Sequence, residues 1–297
     1  MTLKQYFQDK RAKKSEVKRY TRSTAGNIAL VLFLVAGGLF SLLPLIYCVS
    51  TSFKPLDELL IFPPRFLVHR PTIGNYAILP DLMASLRVPL SRYIVNSVGI
   101  SFFTTVVYIL VALMAAYSIS KGTFKGRNAI FWTVQFALMF NAYTLAVPQY
   151  LIFSKLGLID TYWIYILPPM ASTMGVFLGK QYIEGYVPDA LLEAAKIDGA
   201  NQFKVFWSIV MPTIKPIWLT LLLFTFRDIW SAVPSGKIFS EELKILPQVV
   251  TQITAGGTAR AGSAMAVTVI MMIPPIIVFL VSQSSVAESM SSAGIKE

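Results

Sequence analysis

Between Arg22 and Lys54 the chain carries no charged residue. That interval exceeds the ~20 residues a helix needs to cross the hydrocarbon of a bilayer. Inside hydrocarbon every backbone N–H and C=O must find a partner in the protein, and a helix meets that demand within one segment. A span is therefore read over residues 27–53, kinked at Pro44 and closed by Ser52-Phe53-Lys54-Pro55. Apolar runs recur over residues 93–118, 129–153, 162–182, 213–230 and 263–281. With 55% hydrophobic and 14% charged residues over 297 positions, polar surface is too scarce for a soluble domain of this size. The expected fold is an all-α integral membrane protein with about six transmembrane helices, one apolar domain over residues 27–282.

Charge sets the orientation. Lys4, Lys10, Arg11, Lys13, Lys14, Lys18, Arg19 and Arg22 crowd residues 1–26, directly before the first span. A basic flank in that position marks the cytoplasmic side, held at anionic lipid, in preference to nucleic acid. The first apolar segment is too long for a secretory signal, and no small-residue cleavage site follows it. Lys121, Lys125 and Arg127 form a second basic turn that falls inside. Six spans then put both termini in the cytoplasm, including the polar tail over residues 283–297. The proline-rich segment 56–91 and the polar segment 231–262 read as external loops.

The longest polar interval facing the cytoplasm runs over about residues 188–212. Pro188 breaks the preceding span, and Asp189 can cap a helix through Leu191, Leu192, Glu193, Ala194 and Ala195. Gly199 can take the left-handed conformation that ends it. Asn201 can cap a second short helix, and Pro212 and Pro216 mark the turn into the next span. A helix of about ten residues is marginal alone and needs something to pack on. Ala194 and Ala195 leave a close-approach surface, Leu191 and Leu192 an apolar edge, and Glu193 a fixed charge. This reads as a docking knob for a partner protein, or else as an interfacial amphipathic hairpin without one.

Glu193-Ala194-Ala195, followed by Gly199, Ile209 and Pro212 at their spacing, resembles the EAA signature of ABC importer permeases. Met211 departs from the family's usual Leu and conserves volume. Ser52-Phe53-Lys54-Pro55, Pro71-Thr72 with Asn75-Tyr76, Asn96-Ser97 and Leu156-Gly157-Leu158 with Asp160-Thr161 resemble strings of the carbohydrate-type permeases, the group of the smaller permease of the maltose system. The segment 71–76 reads equally as a turn before a short helix. The resemblance implies that the 188–212 loop is a coupling helix-turn-helix seated in an ATPase subunit. It also implies a heterodimer with a second homologous permease, two ATPase subunits, an external sugar-binding protein touching Gly256 and Gly257, and a prokaryotic plasma membrane. The ending, Val286 to Lys296, departs from the family's common Leu-Thr-x-Gly-Ala. It looks more like a subgroup beside polysaccharide-utilisation systems, which implies an oligosaccharide substrate.

The chain has no Gly-x-x-x-x-Gly-Lys-Ser/Thr phosphate loop and no nucleophile elbow. One cysteine, Cys48, and one histidine, His69, support neither a disulfide framework nor a histidine metal site. The expectation is a transport subunit that is not itself an enzyme and binds no cofactor, with ATP and magnesium on the partner ATPases. Polar residues inside spans are costly in lipid and should face protein or a water path. Asn96, Gln135, Asn141 and Gln149 are the candidates for a translocation path, or for hydrogen bonds that hold the bundle. The rival class is a gradient-driven secondary transporter or channel subunit, which calls for inverted repeats and an intramembrane carboxylate; the nearest carboxylate is Asp228, at a span edge.

Overall fold

The computed structural model describes residues 24–84, 87–140, 142–234 and 236–293. The basic residues before Thr24, Asn141, and Gly294 to Lys296 lie outside the described residues. All regular elements among the described residues are helical. The chain divides into two units, residues 1–49 and 50–297. Helix α1 (Thr24–Ser52) supplies the described part of the first. It is apolar on all sides, with Phe33 and Phe40 each 75% exposed. A helix of that kind is built to be covered by lipid or by another helix.

The second unit contains α2 (Leu90–Lys121), α3 (Arg127–Ala137), α4 (Ala142–Lys155), α5 (Trp163–Met170), α6 (Met174–Tyr186), α7 (Asp189–Ile197), α8 (Lys215–Trp230), α9 (Leu246–Thr254) and α10 (Ala261–Ala293). Helix α2 is its spine. Tyr93, Ser97, Ile100, Thr104, Tyr108, Ala112, Leu113 and Ala116 recur at three- and four-residue spacing and are all buried. Small residues bring α6 against this stripe. A Cβ built on Gly179 would lie 2.9 Å from both Ala116 Cβ and Leu113 Cδ2. Helix α8 packs on α2 and on α10, where Trp230 Nε1 donates to the carbonyl of Met271 at 3.0 Å.

By length and composition, Ala25–Ser52, Leu90–Lys121 and Thr258–Gln283 can cross a membrane. Gln202–Thr213 and Lys215–Trp230 form a fourth crossing if taken together across an 80° bend. The expected third and fourth spans are each two shorter helices, α3 with α4 and α5 with α6. Near the first break Met139 and Phe140 donate to carbonyls three residues back, a tightening that ends a helix. At the second, Pro168 and Pro169 remove two N–H donors just before Ala171.

Outside the spans, two strings singled out in the sequence lock onto each other. The N–H of Thr72 donates to Phe53 O at 2.9 Å, and Asn75 Nδ2 donates to the carbonyls of Ser52 and Lys54 at 2.9 and 2.7 Å. Tyr76 donates to Ser52 Oγ at 2.9 Å. Helix α10 closes over this knot at Gly262, where a Cβ would meet the Asn75 amide at 2.5 Å. Buried Glu58 accepts from the N–H groups of His69 and Arg70. Burial opposes its ionisation, but those two bonds and the adjoining positive charges hold its carboxyl below the usual glutamate value.

Candidate functional site

The 188–212 loop folds as a helix, a turn and a second helix. Pro188 is the extended residue before α7, and Asp189 is the first helical residue. The expected Asp189 cap is not formed. Its carboxylate takes a bond from Lys121 Nζ at 2.7 Å instead, and that bond and charge hold its carboxyl below the usual aspartate range. Gly199 sits at φ +74°, in the left-handed conformation, and the N–H of Ala200 reaches back to Ala195 O at 3.0 Å. Asn201 Oδ1 caps Gln202–Val205 by accepting from the Lys204 N–H at 2.8 Å. Phe206–Val210 then winds as a π-helix, and the chain turns at Ile214, between Pro212 and Pro216.

The faces of α7 divide differently from the expectation. Leu192 and Ala195 are buried in the chain's own core, with Tyr108, Leu113, Ile183, Phe206 and Val210. Ala195 therefore permits close approach of α7 to its own bundle, and Leu192 is no part of an outer edge. Glu193, Ala194 and Lys196 face out, with Leu191 43%, Ile197 87% and Phe203 62% exposed. Ile209 is half-buried against the same core, and Pro212 is exposed. The result is a helix with two side chains buried against its bundle on one side and a mixed apolar and charged face on the other.

A second feature lies among the broken helices. A cavity of about 420 Å³ is lined by Tyr108, Gln149, Tyr165, Pro168, Ser172, Asp228 and Lys237, among others. A neighbouring space of about 470 Å³ shares Gln149, Pro168 and Ser172 with it. Lys237 Nζ donates to Gln149 Oε1, and burial pushes its ammonium below the ordinary lysine value. The Tyr108 hydroxyl accepts from the Gly175 N–H at 2.8 Å and lies 3.5 Å from Ser172 Oγ. Such a wall offers donors and acceptors beside aromatic rings, chemistry suited to a polar, hydroxyl-rich solute.

The lip holding Lys237 is fixed by Asp160, at φ +58°. Its carboxylate accepts from Ser240 Oγ and from the N–H groups of Ser240 and Phe239, the latter two at 2.8 Å. Its own N–H donates to Lys237 O at 2.9 Å. The Ser240 hydroxyl is the largest influence holding the Asp160 carboxyl below its usual range, ahead of the opposing effect of burial.

Of the polar residues proposed for a path, Gln149 lines the cavity. Asn96 is absent from its wall. It is buried, donates to the carbonyls of Glu242 and Lys244 at 2.7 and 3.0 Å, and accepts from Tyr162 Oη at 3.1 Å. Ser97 Oγ accepts from the Leu246 N–H at 2.8 Å, so Asn96-Ser97 anchors the 241–246 segment. Gln135 is half-buried on α3 and lines neither space, and Asn141 lies outside the described residues. Gly256 and exposed Gly257 (φ +84°) follow α9. Sequence reasoning missed Tyr108, Tyr165, Ser172 and Lys237, and placed Asp228 at an edge. The proline pair beside Ser172 was the available signal for part of this group.

Residues 108–292 match the family described as binding-protein-dependent transport system inner membrane component. The chain belongs to that family. Over 295 aligned residues it is 30% identical to protein LplC of Bacillus subtilis, covering 91% of this chain and 94% of that one. The arabinooligosaccharides transport system permease protein AraQ of B. subtilis is 28% identical over 91% of this chain and 95% of its own. The inner membrane ABC transporter permease protein YcjP of Escherichia coli is 27% identical, over 90% and 94%. A bacterial ABC transporter involved in import of the acidic polysaccharide alginate shares the fold, with a TM-score of 0.68 and 23% identity over 89% of this chain and 98% of that chain.

Proposed function

We propose that this family member is the permease subunit of an ATP-driven importer for a sugar, an oligosaccharide in the manner of its arabinooligosaccharide relative. The observation that carries the reading is α7. Its inner side is packed into the bundle while Glu193 and Ala194 face out at the head of a glycine-ended turn. The partners are two ATPase subunits seated on α7, which bind the ATP and magnesium, a second homologous permease, and an external sugar-binding protein contacting the loop at Gly256 and Gly257. Closure of the ATPases moves α7, and the spans rock from inward- to outward-facing around the cavity holding Gln149. Surrounding lipid covers the apolar exterior, and the N-terminus and C-terminus lie in the cytoplasm.

Purification of the full chain in mild detergent tests this. A second permease and an ATPase should co-purify, and Glu193→Lys or Gly199→Val should release the ATPase without lowering membrane insertion. Loss of a charge across such an interface costs about 2–5 kcal/mol, enough to clear the co-purified band. Unchanged co-purification by both variants would refute the docking role. Asp228 on the cavity wall is what a gradient-driven carrier would use. Uptake into proteoliposomes under an imposed ion gradient without ATP would decide for that carrier.

A further inference from the structure

Between α6 and the coupling helix lies a joint. Helix α6 ends at Tyr186, Val187 (φ −108°, ψ 98°) and Pro188 (φ −64°, ψ 140°) are extended, and α7 begins at Asp189. Pro188 has no N–H, so it cannot extend the helical ladder across this point. A swivel there would let α7 move while α6 stayed still. Lys121, the last residue of α2, lies across it. Its side chain is 12% exposed, and Nζ donates to Val187 O at 2.8 Å and to Asp189 Oδ1 at 2.7 Å. One ammonium thus holds both sides of the joint. The Asp189 carboxylate is 77% exposed, so its share is screened by water. The bond to the buried Val187 carbonyl is the firmer one, and a charged donor makes it stronger than an ordinary amide bond.

Behind the joint, α2 and α6 already form one body through Gly175 and Gly179. We propose that Lys121 is a positioning residue for coupling: it clasps α7 to the α2–α6 pair, so a push on α7 reaches the spans instead of being absorbed at Val187-Pro188. This rests on the reading of α7 as the ATPase dock. Removing the clasp frees the joint without touching the outward face of α7.

Nitroxides at Lys196→Cys on α7 and Phe102→Cys on the exposed side of α2, in a Cys48→Ser background, report the joint by pulsed spin-label distances. The sample is the transporter purified with its partners, resting and with ATP plus vanadate. With Lys121 present the distance should be narrow and the same in both states. In Lys121→Met it should broaden on the order of twofold at rest and shift with ATP plus vanadate, while the ATPase stays bound. Lys121→Arg, which keeps a charged donor, should restore the narrow distance. An equally narrow, unshifted distance in Lys121→Met overturns the clasp, as does a distance that shifts when Lys121 is present. So does loss of the ATPase in Lys121→Met, which would make Lys121 part of the dock. Should no ATPase accompany the unlabelled parent at all, the proposed function fails, and the resting width still decides the clasp.

Discussion

Gly179→Ala adds one methyl at a close helix contact and should destabilise the chain. The new Cβ would stand 2.9 Å from Ala116 Cβ and 2.9 Å from Leu113 Cδ2. Carbon atoms in good contact sit about 3.5–4.0 Å apart, so the helices must separate by roughly 0.6–1 Å. Leu113 and Ala116 are fully buried, so neither can turn out into solvent to relieve the contact. The same separation stretches the Gly175–Tyr108 bond one turn away. Overpacking of this kind costs about 1–3 kcal/mol. The helix propensity gained on replacing glycine by alanine returns at most about 1 kcal/mol. The net expectation is a loss of about 1–2 kcal/mol, read as a lower midpoint in an SDS titration of helical ellipticity. Ala116→Gly alone should also destabilise, by about 1–2 kcal/mol, through lost propensity and a lost methyl. Together they move the methyl from one helix to the other, so the double variant should be more stable than the two losses summed by about 1–2 kcal/mol. Strict additivity, or a Gly179→Ala protein as stable as the parent, would refute the close-approach argument.

Gly199 has a positive φ but open space where a Cβ would go, so the cost of substitution there is backbone strain alone. Gly199→Asn should keep ATPase co-purification, and Gly199→Val should lose most of it. Asn96→Ala strips the amide donors from the Glu242 and Lys244 carbonyls; a loss of about 1–3 kcal/mol in the same SDS titration is expected, with the selectivity of sugar uptake unchanged. The Asp160 carboxyl titrates below its unfolded value. Its support of the lip is therefore full above the unfolded range of about 3.9 and is lost as pH falls through the lower folded value. Hydrogen exchange at Phe239 and Ser240 should be insensitive to Asp160 ionisation between pH 6 and pH 8, taken as roughly neutral conditions, and should quicken in Asp160→Ala.

The helical class, the first, second and last long helices, and the turn chemistry at Gly199 and Asn201 were legible because each is set locally, by charge-free length or by one residue's conformational range. The break at 138–140 was not, since hydropathy averages across an interruption that apolar residues still surround, whereas Pro168 and Pro169 do mark the interruption of the 162–182 run. Asn96 shows the limit of reading cost from a polar residue in a span: its amide is satisfied by carbonyls that lie 146 and 148 positions away. The cavity was hidden for the same reason. Lys237 meets Gln149 across 88 positions, from a segment that reads as an ordinary polar loop. Leu192 and Ala195 were misassigned to an outer surface because the helical pattern gives two faces without saying which one the bundle takes.

The knot of Ser52–Pro55 with Thr72–Tyr76 has a consequence for biogenesis. Its bonds link residues about twenty positions apart, and contacts that near in sequence close early because little chain entropy is lost in bringing them together. The Asn75 amide is thereby set long before the chain has been made as far as Gly262. When α10 is inserted it meets a finished platform, and a residue larger than glycine at 262 would block that last docking step while leaving the earlier spans correctly assembled. Substitutions there should yield a chain that inserts, stalls one helix short, and becomes a substrate for membrane proteolysis.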